Sequence, residues 1–495
     1  MSKQLRIWLF VLLSTLLTSS SLLAEGVITM TTSKAVGETI ALDIKANGNV
    51  TIEGAQETGR KDSYDKELYR LSSQTVTIRG DVTSLECYSN QLTSLNISGC
   101  TTLTSLRCFS NQLTSLDVSQ NTALTELDCT SNQLTSLNVS GCTALTSLEC
   151  YKNQLTSLDV SSCTALTTLY CWGNQLTSLD VSQNTALTSL SCSKNQLTSL
   201  DVSKNTALTQ LVCSQNQLTS LDVSSCTALT KLYCYENQLT SLNLSGCTAL
   251  TTLNCYNNQL ASLDVSQNLA LTELYCGENQ LTSLDVSQNT ALTTLNCYNH
   301  QLTSLDVSSC TALTTLYCSR NLLRKIELSG CTSLLSLTCY SNQIKEREMT
   351  NLVNSLPDLG SKGTGAFRVF YDGSGEGNVC LAAHVATAQA KGWKTQLTRD
   401  QDGDAWYDYT GADNTGVETT VTQQVKLYPN PATDYVIVEG VAPASEVTLH
   451  SMTGERLYAG RADSRGVLQI DLTPYADGVY LVCVAGETYR VVVRR

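Results

Sequence analysis

Two residue types in this chain could carry chemistry by their number and spacing: cysteine, of which there are 22, and tyrosine, of which there are 21. Thirteen of the cysteines (Cys87, Cys108, Cys129, Cys150, Cys171, Cys192, Cys213, Cys234, Cys255, Cys276, Cys297, Cys318 and Cys339) recur at a fixed step of 21. Thiols at such density could form disulfides, ligate a metal or attack a substrate. Zinc sites need close pairs such as C-x₂-C, which never occur here. Neighbouring coils about 4.8 Å apart would bring Cα atoms within disulfide range, but the Cβ vectors would run parallel and thirteen is odd. The spacing therefore predicts buried, reduced thiols packed as small apolar side chains, with some pairing left open in an exported protein. The three histidines, His300, His384 and His450, fall in different regions, and H-E-x-x-H, G-x-S-x-G and G-x-x-x-x-G-K-[ST] are all missing from the sequence. No catalytic residues, metal or cofactor are expected, and the chain reads as a non-enzyme.

The elements that hold these residues follow from the period. One turn reads Leu145-x-x-Leu148-x-Cys150-x-x-Asn153-x-Leu155-x-x-Leu158-x-Val160-x-x-Cys163. Leu148 and Cys150 are two apart and face one side of an extended segment, while Glu149 and Tyr151 face the other. Twenty-one residues leave no room for a strand, two bends and a full helix. Each turn is predicted to be a short strand, a bend, a second extended or 3₁₀ segment and another bend, with successive coils stacked as a parallel sheet. The second half is expected to be extended too. A lone coil cannot offset the entropy of ordering its backbone, so the array needs stacking and covered ends.

Two polar columns share the step. Asparagine runs from Asn90, Asn111 and Asn132 to Asn342, where an inward amide satisfies backbone groups at the bend; His300 is the exception and is expected to stand in for it. A second column exchanges Cys with Asn (Cys100, Asn121, Cys142, Cys163, Asn184 and onward to Cys331), which suits a bend needing a small hydrogen-bonding group. Opposite the Cys strand lies a repeated Asp (Asp117, Asp159, Asp180, Asp201, Asp222, Asp264, Asp285, Asp306), read as a solvated face with cation binding as the alternative.

Outward positions vary while the frame holds still. The first four turns carry charge; later ones carry Tyr170 with Trp172, Tyr233 with Tyr235, then a diagonal of Tyr256, Tyr275, Tyr298, Tyr317 and Tyr340, with Tyr151 before them. Rigid amphipathic rings in a row suit a protein or glycan ligand, and tyrosine is also simply a good strand residue. With a net charge of −13 the chain offers no basic surface for nucleic acid.

The run L-x-x-L-x-C-x-x-N-x-L resembles the leucine-rich repeats, and the 21-residue period with Cys at the second strand position resembles the internalin J-type bacterial surface proteins, over Val82 to Ile344. The resemblance implies a mainly β, right-handed solenoid with its parallel sheet on the concave face, binding a host or microbial surface protein or glycan in adhesion and biofilm formation. A self-associating scaffold of the biofilm matrix or cell surface is the alternative. Leu427-Tyr428-Pro429-Asn430-Pro431-Ala432, the alternating Tyr435-Val436-Ile437-Val438 and the basic end resemble the type IX secretion C-terminal sorting domain of Gram-negative bacteria. That likeness implies a small β-sandwich, engagement of the secretion machinery and attachment at the outer surface, with Tyr428, Pro429, Asn430 and Pro431 as the sorting motif.

The expected organisation is a signal peptide over 1–24 (Lys3 and Arg6, then apolar Ile7 to Leu17), a β-rich cap over 25–81, the solenoid over 82–345, an α/β cap over 346–410, a linker over 411–424 and the sorting domain over 425–495. Within the second cap, helices are predicted over Met349 to Leu356 and Cys380 to Lys391, and a strand over Phe367 to Tyr371. The acidic stretch Asp400 to Asp404 looks superficially like a calcium loop, but its glycine sits too early, and it reads as a solvated turn.

Overall fold

The computed structural model describes residues 26–360, 364–373, 375–399, 406–412, 425–441, 443–484 and 487–494. The signal segment, the acidic stretch at 400–404 and most of the linker lie outside the described residues. The chain forms two units, one ending at Gly411 and one starting at Ala412.

The first unit is the predicted solenoid. The Cys strand begins at Val82–Glu86 and recurs through Ser147–Glu149 to Ser336–Thr338. Successive strands pair in parallel one repeat apart, so Leu127 sits beside Leu106 and Leu148, and every column stacks on itself. Each ladder leucine and each of the thirteen cysteines is buried to within 1% of zero exposure. Two residues after each Cys the chain turns through a left-handed backbone, as at Ser131 (φ 52°), Lys152 (φ 54°) and Gly173 (φ 67°), and this bend is the same in all thirteen coils.

The asparagine column locks that bend. Asn195 Nδ2 donates to the carbonyls of Cys192 in its own coil (3.0 Å) and Cys171 in the coil before (3.1 Å), while its Oδ1 accepts the Leu176 N–H at 3.0 Å. One amide therefore ties two coils together. The second column explains why Cys and Asn interchange: Asn184 Nδ2 donates to Val160 O (2.9 Å) and Cys142 Sγ donates to Val118 O (3.2 Å), each to the carbonyl 24 residues back. The amide fills more space and leaves Oδ1 of Asn121, Asn184, Asn205 and Asn289 buried without a partner; the thiol carries no such orphan.

The second half of the coil is less regular than expected. Strand pairing occurs there at only three coil steps: Ser115–Asp117 with Ser136–Asn138, Ser220–Asp222 with Ser241–Asn243, and Ser304–Asp306 with Lys325–Glu327. Where Asp stacks on Asp, as at Asp159, Asp180 and Asp201, the segment is not a strand. No Asp-on-Asp step pairs, in keeping with like-charge repulsion, but Asn138 over Asp159 and Asn243 over Asp264 do not pair either, so removing one charge is not by itself sufficient.

Both ends are covered as repeat arrays require. Before the first coil, Val27–Thr32 pairs antiparallel with Leu92–Asn96, and Thr39–Ala46 pairs antiparallel with Val82–Glu86. At the far end a helix, Glu346–Ser355, is followed by Gly365–Tyr371, which joins the last Cys strand in parallel, and a second helix, Ala382–Ala390, leads to Trp393–Thr398 beside it. The predicted cap helices are thus present, the first starting three residues earlier than expected. Two residues imitate the missing next coil. Asn378 continues the amide column, accepting Ile344 N–H at 3.0 Å and donating to Cys339 O at 2.9 Å. Glu376 accepts the N–H groups of Ser341, Tyr371 and Asn378 (2.8, 2.8 and 2.7 Å), taking the place of a coil's carbonyls.

The second unit is two antiparallel sheets around one apolar core. One holds Lys426–Tyr428, Tyr435–Glu439 and Val467–Asp471; the other holds Arg456–Arg461, Glu446–Ser451, Gly478–Val484 and Glu487–Val493. Val436, Val438, Val447, Leu449, Ile470 and Val482 are buried between them.

Replacing Asn195 by Ala orphans two carbonyls' shared donor and one N–H in the interior, each worth about 1–3 kcal/mol. The expected outcome is a loss of on the order of 3 kcal/mol in unfolding free energy, read by guanidinium denaturation, against little change for the exposed Gln196→Ala one residue on.

Candidate functional site

The face of the parallel sheet is the candidate site. Its outward column, the residue before each Cys, holds Tyr170, Tyr233, Tyr275 and Tyr317, all half-buried. Tyr170 shares a hydrogen bond with Ser189 (3.2 Å), and the Tyr275 hydroxyl reaches the Glu273 carboxylate at 3.5 Å. Burial first, and then Glu273, push the Tyr275 phenol up, with Tyr317 and Tyr233 adding to the effect. At the charged end, Arg107 pairs with Glu86 at 3.4 Å, and burial followed by the charge of Asp128 raises the Glu149 carboxyl.

The other six expected binding residues, Tyr151, Trp172, Tyr235, Tyr256, Tyr298 and Tyr340, are placed differently from the simple strand reading. The strands end at the residue before each Cys, so these rings stand on the bend at the margin of the face. Most are engaged with one another. Tyr151 stacks on Trp172 (centroids 4.6 Å, planes 8° apart) with Lys152 Nζ 5.1 Å from the Trp172 ring. Tyr88 and Phe109 stack at 4.1 Å, with Lys66 over Tyr88. The Tyr298 ring lies over Gly277, where a Cβ would meet it at 2.7 Å, and so reaches two coils back to Tyr256 (hydroxyls 2.9 Å apart) and to Glu278 (2.7 Å). Tyr340 packs against Tyr371 and Trp406 of the cap. Tyr235 stacks on no ring among the described residues. The small residues Thr130, Ser193, Ser214 and Ser319 in the same column are buried. These clusters were not visible in the sequence as pairs, because which neighbour a ring leans toward depends on the small residue beside it.

The opposite column is accounted for by the turn. Asp159, Asp180 and Asp201 each accept the N–H of the serine two residues on at 2.8–2.9 Å, and those bonds hold the carboxyls below their usual range. Among the described residues no group of His, Cys, Asp and Glu is arranged to hold a metal ion.

All 22 cysteines are unpaired; 21 are buried and Cys483, in the second unit, is partly exposed. Burial pushes the thiols of Cys150, Cys192 and Cys255 up to about 12. His300 replaces the asparagine amide only in part. Its Nδ1 accepts Leu281 N–H at 3.4 Å and its Nε2 is buried without a partner; burial lowers its pKa.

In the second unit, Asn430 fastens the expected sorting motif to the last strand, Nδ2 donating to Arg490 O and Oδ1 accepting Val492 N–H, both at 2.9 Å. Tyr428 is exposed, its hydroxyl on Glu439 at 2.8 Å; Pro429 and Pro431 flank Asn430 on the exposed side.

Comparison with known proteins places both units. The leucine-rich repeat family matches residues 143–184 and 227–268, and the secretion system C-terminal sorting domain matches residues 426–495. Segments of the solenoid therefore carry leucine-rich repeats, and the second unit carries a secretion-system sorting domain. Among solved structures it is similar to the functional domain of InlJ from Listeria monocytogenes, described as including a cysteine ladder (27% identity, 86% of this chain and 93% of that one, TM-score 0.49). It is also similar to a leucine-rich repeat protein of Leptospira interrogans (25% identity, 55% and 81% covered, TM-score 0.46) and to the internalin InlF of Listeria monocytogenes (20%, 64% and 86%, TM-score 0.48). A search of curated proteins finds no match. No helix among the described residues is long and apolar enough to cross a membrane.

Two measurements follow. A thiol-reactive dye at pH 8 is expected to label about one site rapidly in the native chain, Cys483, and all 22 in guanidinium; rapid native labelling of several more is incompatible with a buried ladder. Because the folded His300 is harder to protonate than the unfolded one, its neutral state is fully tolerated above the unfolded pKa of about 6.5, and stability is lost as pH falls below it. His300→Asn should raise Tm and shrink the loss of unfolding free energy between pH 7.5 and 5, whose slope from one such group is at most about 1.4 kcal/mol per pH unit.

Proposed function

We propose that this chain is a secreted adhesin, attached at the outer surface of a Gram-negative cell, which holds a surface protein or glycan on the face of its solenoid and so serves attachment and biofilm formation. The observation that carries this is the row of tyrosines on the outward column, set among Ser, Thr and Asn on a frame whose framework residues barely change from coil to coil. The frame needs no ring there: the same column tolerates Ser191, Val212 and Asn254. Aromatic anchors of this kind concentrate binding energy. The marginal rings make a second layer, with Tyr151 and Trp172 already stacked and positioned at little entropic cost on binding. The sorting domain supports export and surface attachment.

The test is the full chain with Tyr170, Tyr233, Tyr275 and Tyr317 all changed to Ser. Attachment of cells displaying it should fall at least about tenfold, the loss of one hot-spot's worth of binding energy or more, with Tm and circular dichroism unchanged. Undiminished attachment by a folded variant rejects the reading.

A further inference from the structure

The outward column between coils at Tyr233 and Tyr317 alternates: Tyr233, Asn254, Tyr275, Asn296, Tyr317. The register is direct, each of these residues being the Cα partner of the next. Parallel neighbours lie about 4.8 Å apart, so the three rings repeat every ~9.6 Å along the array. An extended β-1,4-linked chain of equatorial pyranoses has nearly that repeat. Its successive sugars flip over, so that every second sugar shows the same C–H face in the same direction. Stacking on alternate rings is what such a chain can do and what an α-linked, helically curling chain cannot.

The residues between the rings fit the same ligand. Asn254 and Asn296 each turn Oδ1 inward to accept the N–H of the residue two further on (3.2 and 3.3 Å). Each Nδ2 is left without a partner among the described residues, in position to donate to the hydroxyl of the sugar that bridges two rings. The column itself carries no charge over these five coils, Lys231 and Glu273 beside it on the same face are of opposite sign, and the chain's net charge of −13 disfavours an anionic polymer.

We infer that this tyrosine–asparagine column is a subsite for an extended, uncharged β-1,4-linked polysaccharide lying along the array, alternate sugars stacking on Tyr233, Tyr275 and Tyr317. The inference rests on the binding face proposed above and names its ligand class. Five sugars span the three rings.

The test is titration calorimetry of the purified full chain with β-1,4-linked glucose and N-acetylglucosamine oligomers of three to six units, and with maltohexaose. Affinity should rise at least tenfold from trimer to pentamer and level off at the hexamer. The two β-linked series distinguish a cellulose-type from a chitin-type ligand, and binding of either supports the inference. Tyr275→Ala should weaken the pentamer at least tenfold, Tyr275→Phe should retain it, and Tyr435→Ala, an exposed tyrosine of the second unit, should leave it unchanged. Absence of oligomer binding, equal binding of maltohexaose, or an unaffected Tyr275→Ala overturns the inference. If no oligomer binds while the fourfold serine variant still loses cell attachment, the face holds a protein; the adhesin reading then stands and this one falls.

Discussion

The structure depends on one side chain used repeatedly, the asparagine amide that bonds to its own coil and to the one before. An amide is both donor and acceptor, so a single residue can fix the left-handed bend within a coil and the register between coils. Asn153, for instance, donates to Cys150 O and Cys129 O while accepting Leu134 N–H. That double duty tolerates no change of coil length, because an inserted residue would place the amide opposite the wrong carbonyl. The fixed step of 21 is the consequence, and so is the vertical stacking of every other column. His300 shows the limit: imidazole supplies an acceptor at a stretched 3.4 Å and leaves one nitrogen unpaired.

The same constraint decides what the interior can be. Columns repeating at strand spacing place identical side chains on top of each other, and a stacked column must fit itself before it fits anything else. Cysteine is small enough to do so at every coil, and its thiol can weakly bond a neighbouring carbonyl, as Cys276 Sγ does with Asn296 O at 3.4 Å. In the second column the thiol reaches the carbonyl that asparagine reaches, which is why the two exchange freely there and nowhere else. The large upward shift of the thiols has one leading cause, burial, which is also what makes them inert.

Much of this was legible in the sequence because the period is strict. The coil and the buried ladder follow from spacing, the sorting domain from resemblance, and the cap helices from their own local pattern. What was not legible shares a single reason: it breaks the period. Asn378 completes the amide column 36 residues after Asn342, with a helix and a strand between, so no column points to it. Glu376 imitates backbone carbonyls with a carboxylate, a substitution of one chemical group for another that no pattern of residue types reveals. The marginal aromatic stacks depend on tertiary detail of another kind, the empty space above Gly277 that lets Tyr298 reach Tyr256. The second half of the coil looked extended in every repeat, yet pairs with the next coil at only three steps, none of them with Asp on Asp.

A solenoid held this rigidly also restricts what it can bind. Positions on its face are not free to adjust; they are quantised in steps of one coil, and a ligand that contacts several of them must share that step or a multiple of it. A folded protein partner meets the condition only by having its own surface shaped to the grid. A periodic polymer meets it by covalent structure, once, for any length of array. The alternation of ring and amide over five coils selects the doubled step, and the neutral hydrogen-bonding groups between the rings select hydroxyls over charge. The variation between coils that faces outward, on the outward column and the bend beside it, is left free by the amide ladder and is therefore the place where such an array can acquire specificity without altering its fold.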